Sequence, residues 1–442
     1  MAYKIAFLTL GCKLNFAETS AIGRQLTEMG FVHCGEREVA DVVIINTCSV
    51  TDTADKKGRQ MIHRMHTKYP NAYIIVTGCY AQLKPDEVAA IDGVDLVLGA
   101  NEKVNFTDFM QAFESRLNAK KAEEVSVDET GERSAECHRV TTAEILNFRP
   151  ECSADDRTRH FLKVQDGCDY YCTYCTIPFA RGRSRSATVE ETMVVARKAI
   201  DEGAKEIVLS GVNTGDFGRR QGESFIDLLC ALDSVDEDVR YRISSIEPNL
   251  LTDEIIHFVA QSHHFAPHFH LPLQSGSDEV LRLMHRRYDA ALFASKVQTI
   301  KQVMPHAFIG VDVMTGTRGE RLPLFEESYR FIGSLDVSQL HVFTYSERAG
   351  TKALEIKPII PVSERRRRTA VLQELSDAKL HNFYKQHIGY KAVVLWEEAH
   401  RGKPMLGFTD NYIRLSAPAT PSLFNTFQAI TITADMLSEK EN

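Results

Sequence analysis

The chain has 442 residues, of which 43% are apolar and 25% are charged, and its formal net charge is −8 at pH 7. This length allows two or three domains that each bury a core, and the composition is that of a globular protein. No run of about 18 apolar residues occurs, so no membrane-spanning helix is predicted. Because the net charge is negative, nucleic-acid binding would have to rest on local basic patches. Ten cysteines without a recognisable secretion signal indicate a cytoplasmic, reducing setting and metal ligation in place of disulfides.

Three strand-like segments in the first hundred residues each run into a cysteine. Helical patterns lie between them, which predicts a parallel sheet with right-handed crossovers. The carboxyl ends of such strands share one edge, so we expect the three thiols to meet there. A lone cysteine after a strand is usually a small buried apolar residue, but three in equivalent positions favour an iron–sulfur site with one open iron. The strands are Tyr3–Leu10 before Cys12, Asp41–Asn46 before Cys48 and Ala72–Thr77 before Cys79, and the helices are Glu18–Met29 and Asp55–Lys68.

Residues 118–153 are polar and irregular, and they are predicted to link an N-terminal α/β domain at 1–117 to the rest of the chain. Cys137 and Cys152 lie in this segment without a partner at ligand spacing. We expect them to be free thiols, like Cys34 and Cys230.

A second set of cysteines, Cys168, Cys172 and Cys175, has the spacing CxxxCxxC. A complete all-cysteine cluster or a closed zinc site takes four ligands, whereas three thiolates leave one iron of a cubane open for a small molecule. The spacing alone also allows half of a zinc site with a distant fourth ligand. The cysteine loop follows a strand-like segment and contains the aromatic Tyr174. In both respects it resembles the cluster loop of radical S-adenosylmethionine (AdoMet) enzymes, in which AdoMet chelates the open iron.

Six strand patterns alternate with helical patterns between residues 154 and 385, which predicts an open (β/α)6 partial barrel. Its strand ends are polar and rich in glycine, which suits close contact with a ribose, an amine or a carboxylate, although such residues are about as often caps or turns. The candidate cofactor-binding residues are Tyr174, Gly211, Asn213, Ser245, Glu247 and Gln274. The predicted strands are Phe161–Gln165, Glu206–Ser210, Arg240–Ile246, His268–Leu273, Phe308–Met314 and Gln339–Tyr345.

Residues 386–442 are predicted to form a small antiparallel β-barrel with strands at Tyr390–Trp396, Met405–Leu415 and Phe427–Thr433. A basic helix precedes it. A basic run is usually only a solvated helix face, but several local basic groups could neutralise RNA phosphates. Aromatic residues of the barrel could stack on unpaired bases or lie in its core. The candidate RNA-binding residues are Arg181, Arg183, Arg185, Arg286, Arg287, Arg365, Arg366, Phe408 and Tyr412.

The chain resembles the radical AdoMet methylthiotransferase family over nearly its whole length. The resemblance implies that Cys12, Cys48 and Cys79 hold an auxiliary [4Fe–4S] cluster and that Cys168, Cys172 and Cys175 hold the radical AdoMet [4Fe–4S] cluster. It also implies that the C-terminal barrel is a TRAM-like RNA-binding domain. The motifs that carry it are Gly11–Asn15 (GCKLN), Asn46–Thr51 (NTCSVT), Thr77–Gln82 (TGCYAQ), the second cysteine loop with Pro178–Gly182 (PFARG), and His270–Gly276 (HLPLQSG).

Two of these regions resemble the MtaB type, which modifies tRNA threonylcarbamoyladenosine: Gly11–Asn15 and Val50–Lys57 (VTDTADKK). The MiaB type, which acts on isopentenyladenosine, and the RimO type, which acts on a ribosomal-protein aspartate, remain alternatives. A non-catalytic, metal-containing RNA-binding scaffold is an alternative of another class. The loop Thr315–Glu320 departs from the family's usual Gly-Phe-Pro-Gly-Glu, so the family's contacts at this loop are not carried over to this chain.

The expected reaction is methylthiolation of carbon 2 of the threonylcarbamoyladenosine next to the anticodon. This carbon is neither acidic nor nucleophilic, so acid–base catalysis by side chains cannot replace its hydrogen with sulfur. A radical from a cofactor is needed. The resemblance implies that AdoMet is both radical source and methyl donor and that the auxiliary site donates sulfur. The expected partners are tRNA and an electron donor, and the protein is expected to be a cytoplasmic monomer.

Overall fold

The computed structural model describes residues 2–35, 38–100, 135–138, 141, 144–153, 158–400 and 402–438. The chain forms two compact units. The first consists of Met1–Ser153, Asp166–Asp169 and Cys175–Ser186, and the second of Ala154–Gln165, Tyr170–Tyr174 and Ala187–Asn442. Within the described ranges, no helix has the length and apolar character needed to cross a membrane. All ten cysteines are described, and none forms a disulfide.

The elements alternate between strands and helices along most of the chain. The strands are β1 (Lys4–Thr9), β2 (Val32–His33), β3 (Val42–Thr47), β4 (Tyr73–Gly78), β5 (Leu96–Leu98), β6 (Glu136–His138), β7 (Glu151–Cys152), β8 (Arg159–Lys163), β9 (Gln165–Asp166), β10 (Arg185–Ser186), β11 (Glu206–Ser210), β12 (Arg240–Ile243), β13 (His268–Gln274), β14 (Phe308–Thr315), β15 (Gln339–Thr344), β16 (Lys391–Trp396), β17 (Met405–Thr409), β18 (Arg414–Ala417) and β19 (Phe427–Thr431). The helices are α1 (Lys13–Glu28), α2 (Asp52–Lys68), α3 (Cys79–Leu83), α4 (Pro85–Ala89), α5 (Ile177–Arg181), α6 (Val189–Asp201), α7 (Phe225–Asp233), α8 (Asp253–Gln261), α9 (Asp278–Leu283), α10 (Ala290–Val303), α11 (Leu322–Ser334) and α12 (Val362–Gln386).

The first unit is built on a parallel sheet of six strands in the order β2-β1-β3-β4-β5-β6. The central strands β3 and β4 are buried along their whole length, and their sequences, VVIINT and YIIVTG, are apolar on both faces until the last residues. Such runs are typical of parallel strands that are covered on both sides. The predicted N-terminal α/β fold is confirmed.

Two details of the first unit differ from the prediction. Helix α1 starts at Lys13, immediately after Cys12, and not at Glu18. Glu136–His138, inside the predicted linker, is edge strand β6, which pairs with β5 in parallel. This strand has only three residues, too few for a sequence pattern to show. Residues 118–134 of the predicted linker lie outside the described residues.

The second unit contains six parallel strands in sequence order, which confirms the predicted repeat of six βα units. Strand β11 pairs with β8 and β12, and β14 pairs with β13 and β15. Two isolated parallel bridges, Tyr241 with Phe265 and Ser245 with His270, connect the two sets. The carboxyl ends of all six strands therefore lie along one edge, where ligands of α/β folds bind.

The C-terminal residues form a four-stranded antiparallel sheet in the order β18-β17-β16-β19, as predicted in kind. The segment 405–415, predicted as one strand, is two strands joined by a tight turn. The Thr409 hydroxyl donates to Asn411 Oδ1 and accepts from the Ile413 backbone N–H, and Tyr412 has a φ of 67°. The Asp410-Asn411 pair is a turn signal in the sequence.

Buried ion pairs fasten the C-terminal sheet to the amino-terminal ends of the barrel strands. Glu206, the first residue of β11, accepts from Arg240 and Arg242 of β12 at 2.6 and 3.1 Å. Arg240 also donates to the backbone oxygens of Val393 and Phe408, both at 3.1 Å. The C-terminal sheet thus contacts the amino-terminal strand ends, opposite to the edge formed by the carboxyl ends.

The negative charge of Glu206 balances the charge of the two arginines that are buried at this contact. Burial alone would raise the pKa of Glu206, but the guanidinium groups of Arg242 and Arg240 outweigh it and hold the pKa well below its usual value. A lowered carboxyl pKa gives stability that is present above the unfolded-state pKa and is lost as the pH falls toward the folded-state pKa.

We therefore expect Glu206→Gln to lower the free energy of unfolding at pH 7 by about 3–5 kcal/mol, because two buried arginines lose their counter-charge. Urea denaturation followed by circular dichroism measures this loss. Asp253→Asn is the matched control, since it breaks the more exposed pair with Lys296 (2.7 Å), which is worth about 1 kcal/mol or less. Equal losses in the two variants would contradict the proposed anchoring role.

Candidate functional site

The first three candidate cysteines follow three neighbouring strands of the first unit. Cys12, Cys48 and Cys79 come after β1, β3 and β4, which lie side by side in that order. Asn46 of β3 is in register with Thr9 of β1 on one side and Thr77 of β4 on the other. Because the strands are parallel and aligned, all three thiols lie at the same sheet edge, as the strand–cysteine pattern predicts.

Two glycines let the backbone of these loops come close together. Gly11 has a φ of 112°, and a Cβ there would lie 2.8 Å from Cys48 Cβ and 3.2 Å from Cys48 Sγ. Gly78 has a φ of 102°, and a Cβ there would lie 2.2 Å from the backbone oxygen of Thr47. Only glycine fits both the left-handed backbone and the space. The Cys48 thiol therefore lies directly against the loop that carries Cys12.

The three thiols affect one another electrostatically. Burial, together with the charges of Cys79 and Cys12, raises the pKa of the Cys48 thiol to about 12, whereas Arg181 acts in the opposite direction. These groups become thiolates when a metal centre replaces their protons.

The chemistry of the donor set suits an iron–sulfur cubane, whose protein ligands are thiolates. Within the described ranges, no three His, Cys, Asp or Glu side chains form a group that could hold a single metal ion. Three sulfurs without a fourth are the set that leaves one iron open.

A buried arginine lies beside these thiols. Arg181, the last residue of α5, is 3% exposed. Its guanidinium donates to Glu18 Oε1 at 3.0 Å, to Asp166 Oδ1 at 2.9 Å and to Asn15 Oδ1 at 2.5 Å. Two buried carboxylates and one guanidinium satisfy each other there, and the arginine also faces Cys79 and Cys12 electrostatically. Arg181 was a candidate RNA contact, but its donors are committed to this internal network.

Asn15 carries the network to the cysteine loops. Its Nδ2 donates to the backbone oxygens of Leu10 and Thr47 at 2.7 and 3.0 Å, and its Oδ1 lies 3.8 Å from Cys12 Sγ. Sequence reasoning listed Asn15 only as part of a motif. The sequence signal for this role is a polar residue three positions after Cys12, on the face of helix α1 that is buried.

In the second cysteine loop, the Cys172 thiol is buried against an arginine. Arg286 Nη1 donates to Cys172 Sγ at 3.2 Å, and the same guanidinium forms a close ion pair with Glu247. Burial raises the pKa of the Cys172 thiol, and Arg286 opposes this effect. Arg286 was also a candidate RNA contact, and it too has internal partners.

Backbone hydrogen bonds hold the loop in place. The Thr173 N–H donates to the Met284 oxygen at 3.1 Å, its hydroxyl donates to the Leu283 oxygen at 2.9 Å, and its carbonyl accepts from the Ala353 N–H at 2.9 Å. Tyr174, the next residue, packs against the apolar cluster Val280, Met284 and Leu324. The loop is therefore fixed at the two residues that follow Cys172.

The candidate cofactor-binding residues at the strand ends form a connected set. The Asn213 N–H donates to Gln165 Oε1 at 2.8 Å, and Asn213 Oδ1 lies 3.5 Å from the Glu247 nitrogen. A Cβ on Gly211 would come within 3.0 Å of Gln165 Oε1, so glycine permits this approach. The Ser245 backbone oxygen accepts from the Thr214 hydroxyl at 3.0 Å, which is a structural bond. Glu247 thus lies within one chain of contacts from Asn213 to Cys172.

Gln274, at the end of β13, has the features of a ligand contact. Its φ is 65°, it is 9% exposed, and its Oε1 has no hydrogen-bond partner among the described residues. A buried acceptor without a partner is costly, so a bound ligand is a ready explanation for it.

The remaining RNA candidates divide by exposure. Arg185 and Arg365 are buried, and they donate to Asp166 and to Glu347 respectively. The exposed candidates are Arg183, Arg287 and Arg366, of which Arg287 lies over the Tyr170 ring.

The two aromatic candidates pack inside the second unit. Phe408 and Tyr412 stack on each other with ring centroids 4.8 Å apart. Arg159 covers Phe408 at 4.4 Å, and Arg242 covers Tyr412 at 4.8 Å. This packing supports their alternative role as core residues.

Two family models match parts of this chain, and its relatives match nearly its whole length. Residues 162–332 match the model of the Radical SAM superfamily, and residues 4–99 match a model described as Uncharacterized protein family UPF0004. A threonylcarbamoyladenosine tRNA methylthiotransferase MtaB of Bacillus subtilis (strain 168) is 36% identical, covering 97% of this chain and 93% of the relative. A tRNA-2-methylthio-N(6)-dimethylallyladenosine synthase of Desulfitobacterium hafniense (strain Y51) is 29% identical, covering 97% and 94%.

Among solved structures, the radical S-adenosylmethionine methyltransferase TsrM from Kitasatospora setae, with cobalamin and a [4Fe-4S] cluster bound, matches with a TM-score of 0.54. The match covers 78% of this chain and 75% of that chain at 11% identity. At this identity the likeness concerns the fold alone.

The glycine geometry predicts that Gly78→Ala is far more damaging than Gly30→Ala. Gly30 has a φ of 90° with nothing within 4 Å of an added Cβ, so alanine there costs only backbone strain of about 1–2 kcal/mol. At Gly78 the added carbon also meets the Thr47 oxygen, and we expect a further loss of at least about 2 kcal/mol. Urea unfolding measures both variants, and equal losses would show that the sheet edge tolerates a side chain.

Proposed function

The chain belongs to the radical AdoMet methylthiotransferase family, MtaB type, and we propose that it methylthiolates carbon 2 of the threonylcarbamoyladenosine next to a tRNA anticodon. The observation that carries the proposal is the meeting of Cys12, Cys48 and Cys79 at one sheet edge, in a chain that has a second cysteine triplet in its radical AdoMet region. A radical AdoMet enzyme that only rearranges its substrate has no need of the first site.

We assign one [4Fe–4S] cluster to Cys12, Cys48 and Cys79 and one to Cys168, Cys172 and Cys175. With AdoMet as radical source and methyl donor, these groups when bound supply the hydrogen abstraction, the sulfur and the methyl group.

The side chains around the cysteines then have defined tasks. Arg181 lowers the pKa of Cys48, and its bonds to Asn15, Glu18 and Asp166 fix the segments that follow Cys12 and precede Cys168. Arg286 donates to Cys172 and so stabilises the thiolate form. These residues orient the ligands without taking part in proton transfer.

The strand ends supply the AdoMet contacts in this proposal. Gln274 Oε1 and the Glu247 carboxylate are acceptors that suit the ligand's amino group and ribose hydroxyls, and Gly211 lets the backbone come close. Tyr174 and Asn213 complete the same edge. Holding the reacting atoms in place and excluding water matter more here than a general base.

The tRNA is proposed to meet the protein through exposed basic groups, namely Arg183, Arg287 and Arg366. The C-terminal sheet is proposed to act as a TRAM-like RNA-binding domain. An adenosine beside the anticodon lies in a loop, where a base can be turned out without opening a duplex. In the same proposal, the protein works in the cytoplasm and receives electrons from a separate donor.

A direct test is to reconstitute the purified protein anaerobically and supply AdoMet and reductant. Three substrates are compared: RNA with threonylcarbamoyladenosine, RNA with dimethylallyladenosine, and a ribosomal protein. Mass spectrometry should find the 2-methylthio group on the first. Turnover of either of the others alone would overturn the substrate assignment, and zinc in place of iron without AdoMet cleavage would support the non-catalytic scaffold.

The two cysteine sites should fail differently. Cys172→Ala should abolish 5′-deoxyadenosine formation, because the radical site is lost, whereas Cys48→Ala should retain part of it and lose all methylthiolation. Each variant should also contain about four fewer irons per chain. Cys230→Ala is the control, since Cys230 is exposed and lies outside both sites. Intact methylthiolation in Cys48→Ala would show that the first site is not the sulfur site.

A further inference from the structure

Three polar side chains that the proposed reaction leaves unused form a cluster on adjacent strands of the second unit. His270 Nε2 and Asp312 Oδ1 are 2.7 Å apart, across β13 and β14. The His270 ring stacks on the His341 ring of β15, with centroids 4.9 Å apart and planes 9° from parallel. Asp312 is in register with His341, so the three side chains form one compact polar patch.

This patch lies on the less buried face of the strands. Side chains alternate between the two faces of a strand, and the neighbours Leu271 and Val311 on the other face are 0% exposed. In contrast, the side chains of His270 and Asp312 are 22% and 20% exposed. The patch is therefore accessible to a small group.

The same face leads to the second cysteine loop. Met314 follows Asp312 by two residues, about 7 Å along the strand. Met314 packs against the apolar cluster of Val280, Met284 and Leu324, and so does Tyr174 of the cysteine loop. The polar patch thus lies on the same strands as Met314, about two residues closer to their amino-terminal ends.

An exposed aromatic ring stands level with Met314, two residues along β15 from the polar patch. Phe343 of β15 is 48% exposed, in register with Met314 and two residues beyond His341 on the same face. An exposed phenylalanine at this place offers a flat surface on which an unpaired base can stack.

We propose that His270, Asp312 and His341 bind the N6-threonylcarbamoyl group of the target adenosine while the adenine ring stacks on Phe343. This deepens the proposed function and rests on it. A threonylcarbamoyl group presents urea N–H donors, a carbonyl, a hydroxyl and a carboxylate. Asp312 can accept from the N–H groups, and the imidazoles can donate to the oxygens.

The same patch disfavours a hydrocarbon substituent. A dimethylallyl group would remove water from two imidazoles and a carboxylate without adding a hydrogen bond, and desolvation of polar groups is costly. Sites built to hydrogen-bond their substrate reject analogues that lack the polar group more strongly than apolar pockets reject small size changes. The patch therefore selects between the two kinds of modified adenosine.

The test uses the reconstituted holoenzyme and two synthetic anticodon stem-loops that differ only in carrying threonylcarbamoyladenosine or dimethylallyladenosine. The quantity measured is the ratio of kcat/KM for the two RNAs, with the Kd of each measured separately. We expect His341→Leu and Asp312→Asn each to lower the ratio at least tenfold, and His341→Gln to retain more of it than His341→Leu. A general folding defect lowers both rates together and leaves the ratio unchanged.

His257→Leu is the matched control, because His257 is exposed on helix α8 and bonds only within that helix to the Asp253 oxygen. Its ratio should equal that of the wild type. If His341→Leu and Asp312→Asn keep the wild-type ratio within twofold, the binding patch is refuted while the proposed function stands. If the wild type does not modify the threonylcarbamoylated RNA at all, the proposed function itself fails.

Discussion

The charge network around Arg181 is the interaction on which the first cysteine site depends. A buried guanidinium is tolerated only when it is paired, and Glu18 and Asp166 supply that pairing while Asn15 connects it to the loop of Cys12. The partners come from helix α1 and from the segment just before Cys168. The same network thus fixes residues next to both cysteine motifs. Removing the arginine would leave two buried carboxylates beside three thiols.

Parallel strands set the arrangement of both units. In the first unit they bring three cysteines together that are 36 and 31 residues apart in the sequence, and in the second they align polar strand ends and the His270 patch along one row. The opposite ends of the second set of strands are closed by Glu206, Arg240 and the C-terminal sheet. Strands β11 and β12 therefore separate the end that contacts the C-terminal sheet from the end that carries the candidate cofactor-binding residues by about 15 Å.

The sequence predicts these strands well because the periodicity of apolar residues and the residue types at strand ends are local signals. The six βα units and the strand–cysteine repeat are visible without any contact information. The burial of a charged residue is not visible in the sequence, because its ion-pair partner is remote. Arg181 and Glu18, for example, are 163 positions apart. For the same reason Arg185, Arg286 and Arg365 resemble surface cations in the sequence but lie in internal ion pairs. The split of 405–415 into β17 and β18 was missed although Asp410-Asn411 signals a turn.

The most direct measurement of the central claim is mass spectrometry of tRNA nucleosides from cells that lack this protein. The account predicts that 2-methylthio-N6-threonylcarbamoyladenosine disappears, that unthiolated threonylcarbamoyladenosine accumulates, and that the wild-type gene restores the methylthio group. If the methylthio group remained on threonylcarbamoyladenosine, or were lost from dimethylallyladenosine instead, the account would be contradicted.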